Sequence, residues 1–79
     1  YPNPFNAGTI IEFYVPYISN VKLKVFNILG ELIETLVDAE YPEGTHQINW
    51  NASGLSSGIY FIQIDGNEFR QIKKAVLIK

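Results

Sequence analysis

Gly54-Leu55-Ser56-Ser57-Gly58 spells the G-x-S-x-G pattern in which a serine serves as a nucleophile. That chemistry needs a strand before the serine, a helix after it and a histidine to accept its proton. Here a strand-like stretch follows, and the single histidine, His46, lies upstream, against the chain order of that fold. A small serine- and glycine-rich surface loop accounts for the same residues. Asn51-Ala52-Ser53 fits the N-glycosylation sequon and marks this loop as accessible. Asp38, Glu40 and Glu43 form one acidic group and Asp65, Asn67 and Glu68 another. Calcium takes six to eight oxygens in a D-x-[DN]-x-[DN]-G loop, and neither group has that spacing, so both read as solvated turns. His46 has no second histidine or cysteine at ligand spacing, which makes it a strand residue lapped by solvent. Trp50, Tyr60 and Phe61 have the surface for stacking on sugars, but in so small a chain they serve as packing. No catalytic dyad, phosphate loop, metal site or cofactor box emerges, and the residues read as a non-enzyme without a cofactor.

The chain that must position these residues has 79 of them and a mass of 9.0 kDa, enough for a single domain spanning 1–79. With 47% hydrophobic and 18% charged residues it is too apolar for a disordered tail. Its apolar runs reach four residues, as in Ala75-Val76-Leu77-Ile78, where a membrane-spanning helix needs about twenty. Without cysteine no disulfide staples the fold. The absence of an initiator methionine suggests a piece excised from a larger precursor. The net charge of −2 is unevenly spread: residues 1–67 carry −5, whereas 68–79 carry +3 through Arg70, Lys73, Lys74 and Lys79 against Glu68. A basic terminal strip on an acidic body suits a partner-facing end but is too small for nucleic acid.

The elements are strands throughout. Thr9 to Val15 is β-branched and aromatic and closes at Pro16. Asn20 to Asn27 alternates, with Val21, Leu23 and Val25 on one face and Lys22 and Lys24 on the other. A turn over Ile28-Leu29-Gly30-Glu31 leads into a returning strand from Glu31 to Val37, and Asp38 to Gly44 reads as a loop. Thr45 to Trp50 alternates again, with His46, Ile48 and Trp50 on one side. After the Asn51–Gly58 loop, anchored by Leu55, Ile59 to Asp65 is apolar on both parities and is expected to be buried on two faces. Asp65-Gly66-Asn67 is a tight hairpin signal, and Phe69 to Ile78 is the return strand. Six strands, or seven with the proline-rich opening, predict an all-β antiparallel sandwich.

Five segments in order resemble the C-terminal sorting domains of the type IX secretion system. They are Tyr1-Pro2-Asn3-Pro4-Phe5-Asn6, Val21 to Gly30, Pro42-x-Gly44-Thr45-His46, Trp50 to Tyr60, and the tail from Lys73 to Lys79. The resemblance covers essentially the whole chain, departing where Ala7-Gly8 replaces the Pro-Thr of many members. The Ig-like domain of the flagellar hook-capping protein shares the opening and first hairpin. The resemblance implies an Ig-like sandwich of six to seven strands and export through the periplasm to the cell surface or medium. It also implies a bacterial source among the Bacteroidetes and relatives, an N-terminal cargo in the same precursor, and partners in the type IX machinery. A sortase-like peptidase is implied to remove the domain.

The residues themselves suggest a means of recognition. Lys73, Lys74, Val76, Leu77, Ile78 and Lys79 lie on the last strand. At a sheet edge, that strand offers its backbone to strand addition while its side chains set specificity. Its lysines deter random pairing and keep the domain a single copy. Two other readings are a structural Ig-like spacer or docking module and a small carbohydrate-binding module.

Overall fold

The computed structural model describes residues 8–78. Through them run six antiparallel strands: β1 (Gly8–Val15), β2 (Ser19–Asn27), β3 (Leu32–Tyr41), β4 (Gly44–Asn51), β5 (Gly58–Gly66) and β6 (Phe69–Leu77). β1 and β4 form a two-stranded sheet, and the other four form a sheet in the order β3-β2-β5-β6. The expected all-β sandwich is therefore present, its strands divided two and four. The seventh strand foreseen in Tyr1–Asn6 lies outside the described residues.

The core forms where the inner faces meet. β1 supplies Ile11, Phe13 and Val15, β4 supplies Trp50, and they close on Val21, Leu23 and Val25 of β2 and Tyr60, Ile62 and Ile64 of β5. Every second residue of these strands points inward, which is the period of two that the alternation announces. Trp50 meets Tyr60 edge to face, with ring centroids 5.9 Å apart. Its buried indole N–H has no hydrogen-bond acceptor among the described residues.

The strand from Glu31 to Val37 is longer than expected. β3 continues to Tyr41, so Asp38–Gly44 is not a loop, and only Pro42 and Glu43 separate β3 from β4. The nine residues of β2 need a partner along their whole length, and that pairing overrides the turn-forming composition. Lys22 is paired with Asp38, Asn20 with Glu40 and Ser19 with Tyr41. Asn20 donates to Asp38 Oδ1 at 3.2 Å, and Tyr41 sets its ring edge-on to Phe13. Two register shifts against β2 bend this outer strand, a common feature of sheet edges.

β5 is central, as expected, but it is not buried on both faces. Tyr60, Ile62 and Ile64 are buried, whereas Phe61 and Gln63 are half-buried and Ile59 is exposed. The second sheet covers only the inner side, leaving the apolar residues of the other parity facing outward.

Two turns use special backbone geometry. After β2, Asn27 accepts the N–H groups of Leu29 and Glu31 on its side-chain oxygen, both at 2.9 Å, and Gly30 supplies φ of 83°. Between β5 and β6 the positive φ falls at Glu68, 62°, rather than within Asp65-Gly66-Asn67, so the turn sits one residue later than its glycine suggests. Gly66 is needed for space: a Cβ there would lie 2.1 Å from Cε2 of Phe69, its cross-strand partner.

The left-handed conformation costs a residue with a Cβ about 1–2 kcal/mol. Glycine removes that cost but adds about 0.5–1 kcal/mol of unfolded-chain entropy. Glu68→Gly is therefore expected to raise unfolding stability by roughly 0.5–1 kcal/mol, measured by urea denaturation.

Candidate functional site

Among the described residues β6 has β5 as its one hydrogen-bonded neighbour and stands at the edge of the four-stranded sheet. The two-residue turn makes Gly66 and Phe69 the pair that closes the hairpin. From there the antiparallel pattern alternates. Phe69, Gln71, Lys73, Ala75 and Leu77 turn their backbone groups toward β5, and Arg70, Ile72, Lys74 and Val76 turn theirs to the free edge. The last strand thus has the unpaired backbone that strand addition requires.

Its side chains divide between two faces. Leu77 is buried in the core and Ala75 packs against it. Lys74, Val76 and Ile78 are exposed, with Lys74 across from Phe61 and Val76 across from Ile59. Lys79 lies outside the described residues. Lys73 shares the inner parity of Ala75 and Leu77, and its Nζ reaches across the sandwich to donate to the backbone carbonyl of Glu12 on β1. Two residues earlier Gln71 Nε2 donates to the carbonyl of Tyr14 at 3.0 Å. The five described tail residues therefore do not form one display surface: Lys73 and Leu77 attach the strand to the body, and Lys74, Val76 and Ile78 face solvent.

Sequence reasoning missed the β1–β6 seam. Gln71 carries no special signal, and the acceptors of the seam, the carbonyls of Tyr14 for Gln71 and of Glu12 for Lys73, are backbone atoms. Their spacing of two matches that of Gln71 and Lys73, which is the trace the arrangement leaves in the sequence.

At the start of β6, Arg70 Nε lies 2.6 Å from Asp65 Oδ1, and Gln63 Nε2 donates to the other oxygen at 2.8 Å. Burial pushes the Asp65 carboxyl upward, but hydrogen bonds from Arg70 and Gln63, with the charges of Arg70 and Lys24, outweigh it and hold the group below its ordinary value.

The other singled-out residues serve the fold. His46 is half-buried, donates from Nε2 to the Pro42 carbonyl at 2.8 Å and stacks with Tyr41 and Phe13. Solvent reaches it less than its lone position suggested, because the longer β3 brings Tyr41 alongside. Ser56 sits in a loop that leads into β5, where its carbonyl accepts from the Tyr60 hydroxyl at 2.8 Å. Asn51 Oδ1 accepts from the Ser53 N–H at 3.1 Å, turning the chain over buried Ala52. Among the described residues no three acidic, histidine or cysteine side chains gather as metal ligands.

The family model described as the secretion system C-terminal sorting domain matches residues 1–79, the whole chain. No curated protein and no solved structure matches it.

The depressed Asp65 ionisation gives stability that is fully present above the ordinary aspartate value of 3.8 and is lost as pH falls through the lower folded value. Because Arg70 is largely exposed, solvent limits its share to less than about 1 kcal/mol. Arg70→Gln is expected to lower stability by less than about 1 kcal/mol at neutral pH and to converge on the parent as pH falls below 3.8, as read by thermal melts across that range.

Proposed function

The chain belongs to the family of secretion system C-terminal sorting domains, and on that footing we propose that it labels an N-terminal cargo for type IX export, with the edge of β6 as the feature that is read. The family is not a catalytic one, which fits the reading of this domain as a non-enzyme. Residues 1–79 act as one domain of a larger precursor. The cargo passes through the periplasm to the cell surface or medium, and a sortase-like peptidase then removes the label. The domain remains a single copy until its receptor adds a strand.

The observation that carries this reading is the placement of Lys73–Leu77 on an edge strand whose outward positions are Arg70, Ile72, Lys74 and Val76. A receptor strand laid along that edge gains backbone hydrogen bonds without disturbing β5. Lys74, Val76 and Ile78 would then set specificity, with Lys79 extending the basic end. Lys73 supports recognition indirectly, by holding β6 against β1 through the Glu12 carbonyl.

The test fuses the 79 residues to a fluorescent reporter bearing a periplasmic signal peptide, in a host with type IX machinery and a host without it. Surface or medium fluorescence is expected in the first host alone, and deletion of Lys73–Lys79 is expected to abolish it. Because that deletion also shortens β6, Val76→Pro provides a second arm. It removes an edge-facing N–H while leaving the β5 pairing intact, since proline is tolerated at such edge positions. Export of Val76→Pro is expected to fall while its melting temperature holds. Normal export of a folded Lys73–Lys79 deletion would overturn the reading.

A further inference from the structure

One end of the outer face of the four-stranded sheet is apolar. The residues of this face lie in rows across β2, β5 and β6: Lys22–Asp65–Arg70, Lys24–Gln63–Ile72, Phe26–Phe61–Lys74, and finally Ile59–Val76. Ile72 is 61% exposed and Val76 60%, and beside them Ile28, in the turn after β2, is 67% exposed. Phe26, Ile28, Phe61, Gln63 and Ile72 line a shallow hollow of about 430 Å³. A second hollow of about 540 Å³ adjoins it at Asn27 and Ile28 and extends past Leu29 and Ile33 to Ile59. Isolated exposed apolar residues are ordinary, but a contiguous patch of this kind marks an interaction surface.

The patch is held in place rather than loosely displayed. Asn27 ties the turn that carries Ile28 and Leu29: besides the two N–H groups it accepts on its side-chain oxygen, its carbonyl accepts from Gly30 at 3.0 Å and its amide donates to Glu31 Oε1 at 2.7 Å. Phe26 and Phe61 are cross-strand partners in the centre of the sheet. Little side-chain freedom remains to be lost when a partner covers them.

Charge identifies the partner. Beside the hollow this face carries Lys24 and Lys74, while farther along it Lys22 and Arg70 lie with Asp65, with which Arg70 already pairs, and with Glu68 of the β5–β6 turn. Asp38 and Glu40 lie beyond Lys22, on β3. The apolar centre is thus bordered by cations on its β2 side and along β6. A second copy laid face to face would bring like charges together, whereas a protein with an apolar knob set among carboxylates would match both parts.

We propose that the outer face of the β3-β2-β5-β6 sheet is a docking surface, distinct from the β6 edge, for an export partner that presents an apolar knob bordered by acidic side chains. The knob enters the hollow between Phe26 and Phe61 against Ile28 and Ile72, and Lys22 and Lys24 meet the carboxylates. This inference rests on the sorting reading but invokes a different surface, so one domain makes two contacts, by its edge and by its face.

The reporter fusion of all 79 residues tests it with three variants: Ile72→Glu, the double neutralisation Lys22→Gln/Lys24→Gln, and Asn49→Asp on the solvent side of β4 as control. All change exposed or half-exposed side chains and leave the core intact, which a thermal melt of each purified fusion verifies. The expected result is a fall in exported reporter of about tenfold for Ile72→Glu, the scale of losing an interface anchor, a smaller fall for the lysine pair and none for Asn49→Asp. Unchanged export of Ile72→Glu overturns the docking face, and unchanged export of the lysine pair alone overturns the acidic partner. Sedimentation of a dimer that Ile72→Glu dissociates assigns the face to a second copy and overturns the proposal. Flotation of the fusion with vesicles of phosphatidylglycerol and phosphatidylethanolamine, lost in Ile72→Glu, assigns it to lipid and does the same. Failure of the unaltered fusion to leave the cell rejects the sorting reading itself, an outcome distinct from export that is insensitive to Ile72.

Discussion

Two strands cannot cover four. Neighbouring strands lie about 4.8 Å apart, so the β1–β4 sheet spans about half the width of the sheet beneath it. It shields the inner faces of β2 and β5, where the fully buried residues of the large sheet are concentrated. The flanking strands extend past that cover: β3 has no fully buried residue, and Leu77 is the buried one on β6. The exposure of β3 and of most of β6 among the described residues follows from this mismatch.

The overhang also explains the seam. Where the small sheet stops short, β6 is not paired to β1 by backbone, and the interval is closed by Gln71 and Lys73 reaching to the carbonyls of Tyr14 and Glu12. Side chains bridge a gap that a strand would fill in a closed barrel. Such bonds are individually modest, about 0.5–1.5 kcal/mol each, and exposed to solvent. They hold the last strand in place without giving it the permanence of a ladder, and the two strands keep separate edges. The opposite flank is protected by another route: β3 is bent by two register shifts and carries Glu34, Asp38 and Glu40. Of the two edges of the large sheet, β6 is thus the more regular and the one bearing cations.

Much of this was legible where one face of a strand is wet. Val21, Leu23 and Val25 alternate with lysines, and His46, Ile48 and Trp50 with polar residues, because a period of two is forced on any strand buried on one side. The alternation failed to report on β5, where Ile59, Phe61 and Gln63 look outward although two of them are apolar. Apolar character on both parities points to burial on two faces, but the small sheet covers one face only, so Ile59 and Phe61 stay on the open side. It failed again at Asp38–Tyr41, whose composition belongs to a turn and whose conformation is imposed by pairing with Ser19–Lys22. The candidate site was half visible: the tail was recognisable as a basic and apolar strand, but its sorting into Lys73 and Leu77 on one side and Lys74 and Val76 on the other depends on register. Register is set by a turn that places Gly66 opposite Phe69, one residue away from where its glycine points.

A sorting domain must satisfy two opposed demands, since it has to fold stably and still keep surface on display. The two-on-four arrangement separates them in space. Stability is concentrated in the column beneath the small sheet, where Phe13, Leu23, Trp50 and Ile64 are sealed from water. The margin keeps what the column does not use: among the described residues the edge of β6 has backbone outside the β5 ladder, and the outer face presents Phe61, Ile72 and the lysines of β2. Substitutions at the margin leave the contacts between the two sheets in place, because the residues that hold the sheets together are not the ones on display.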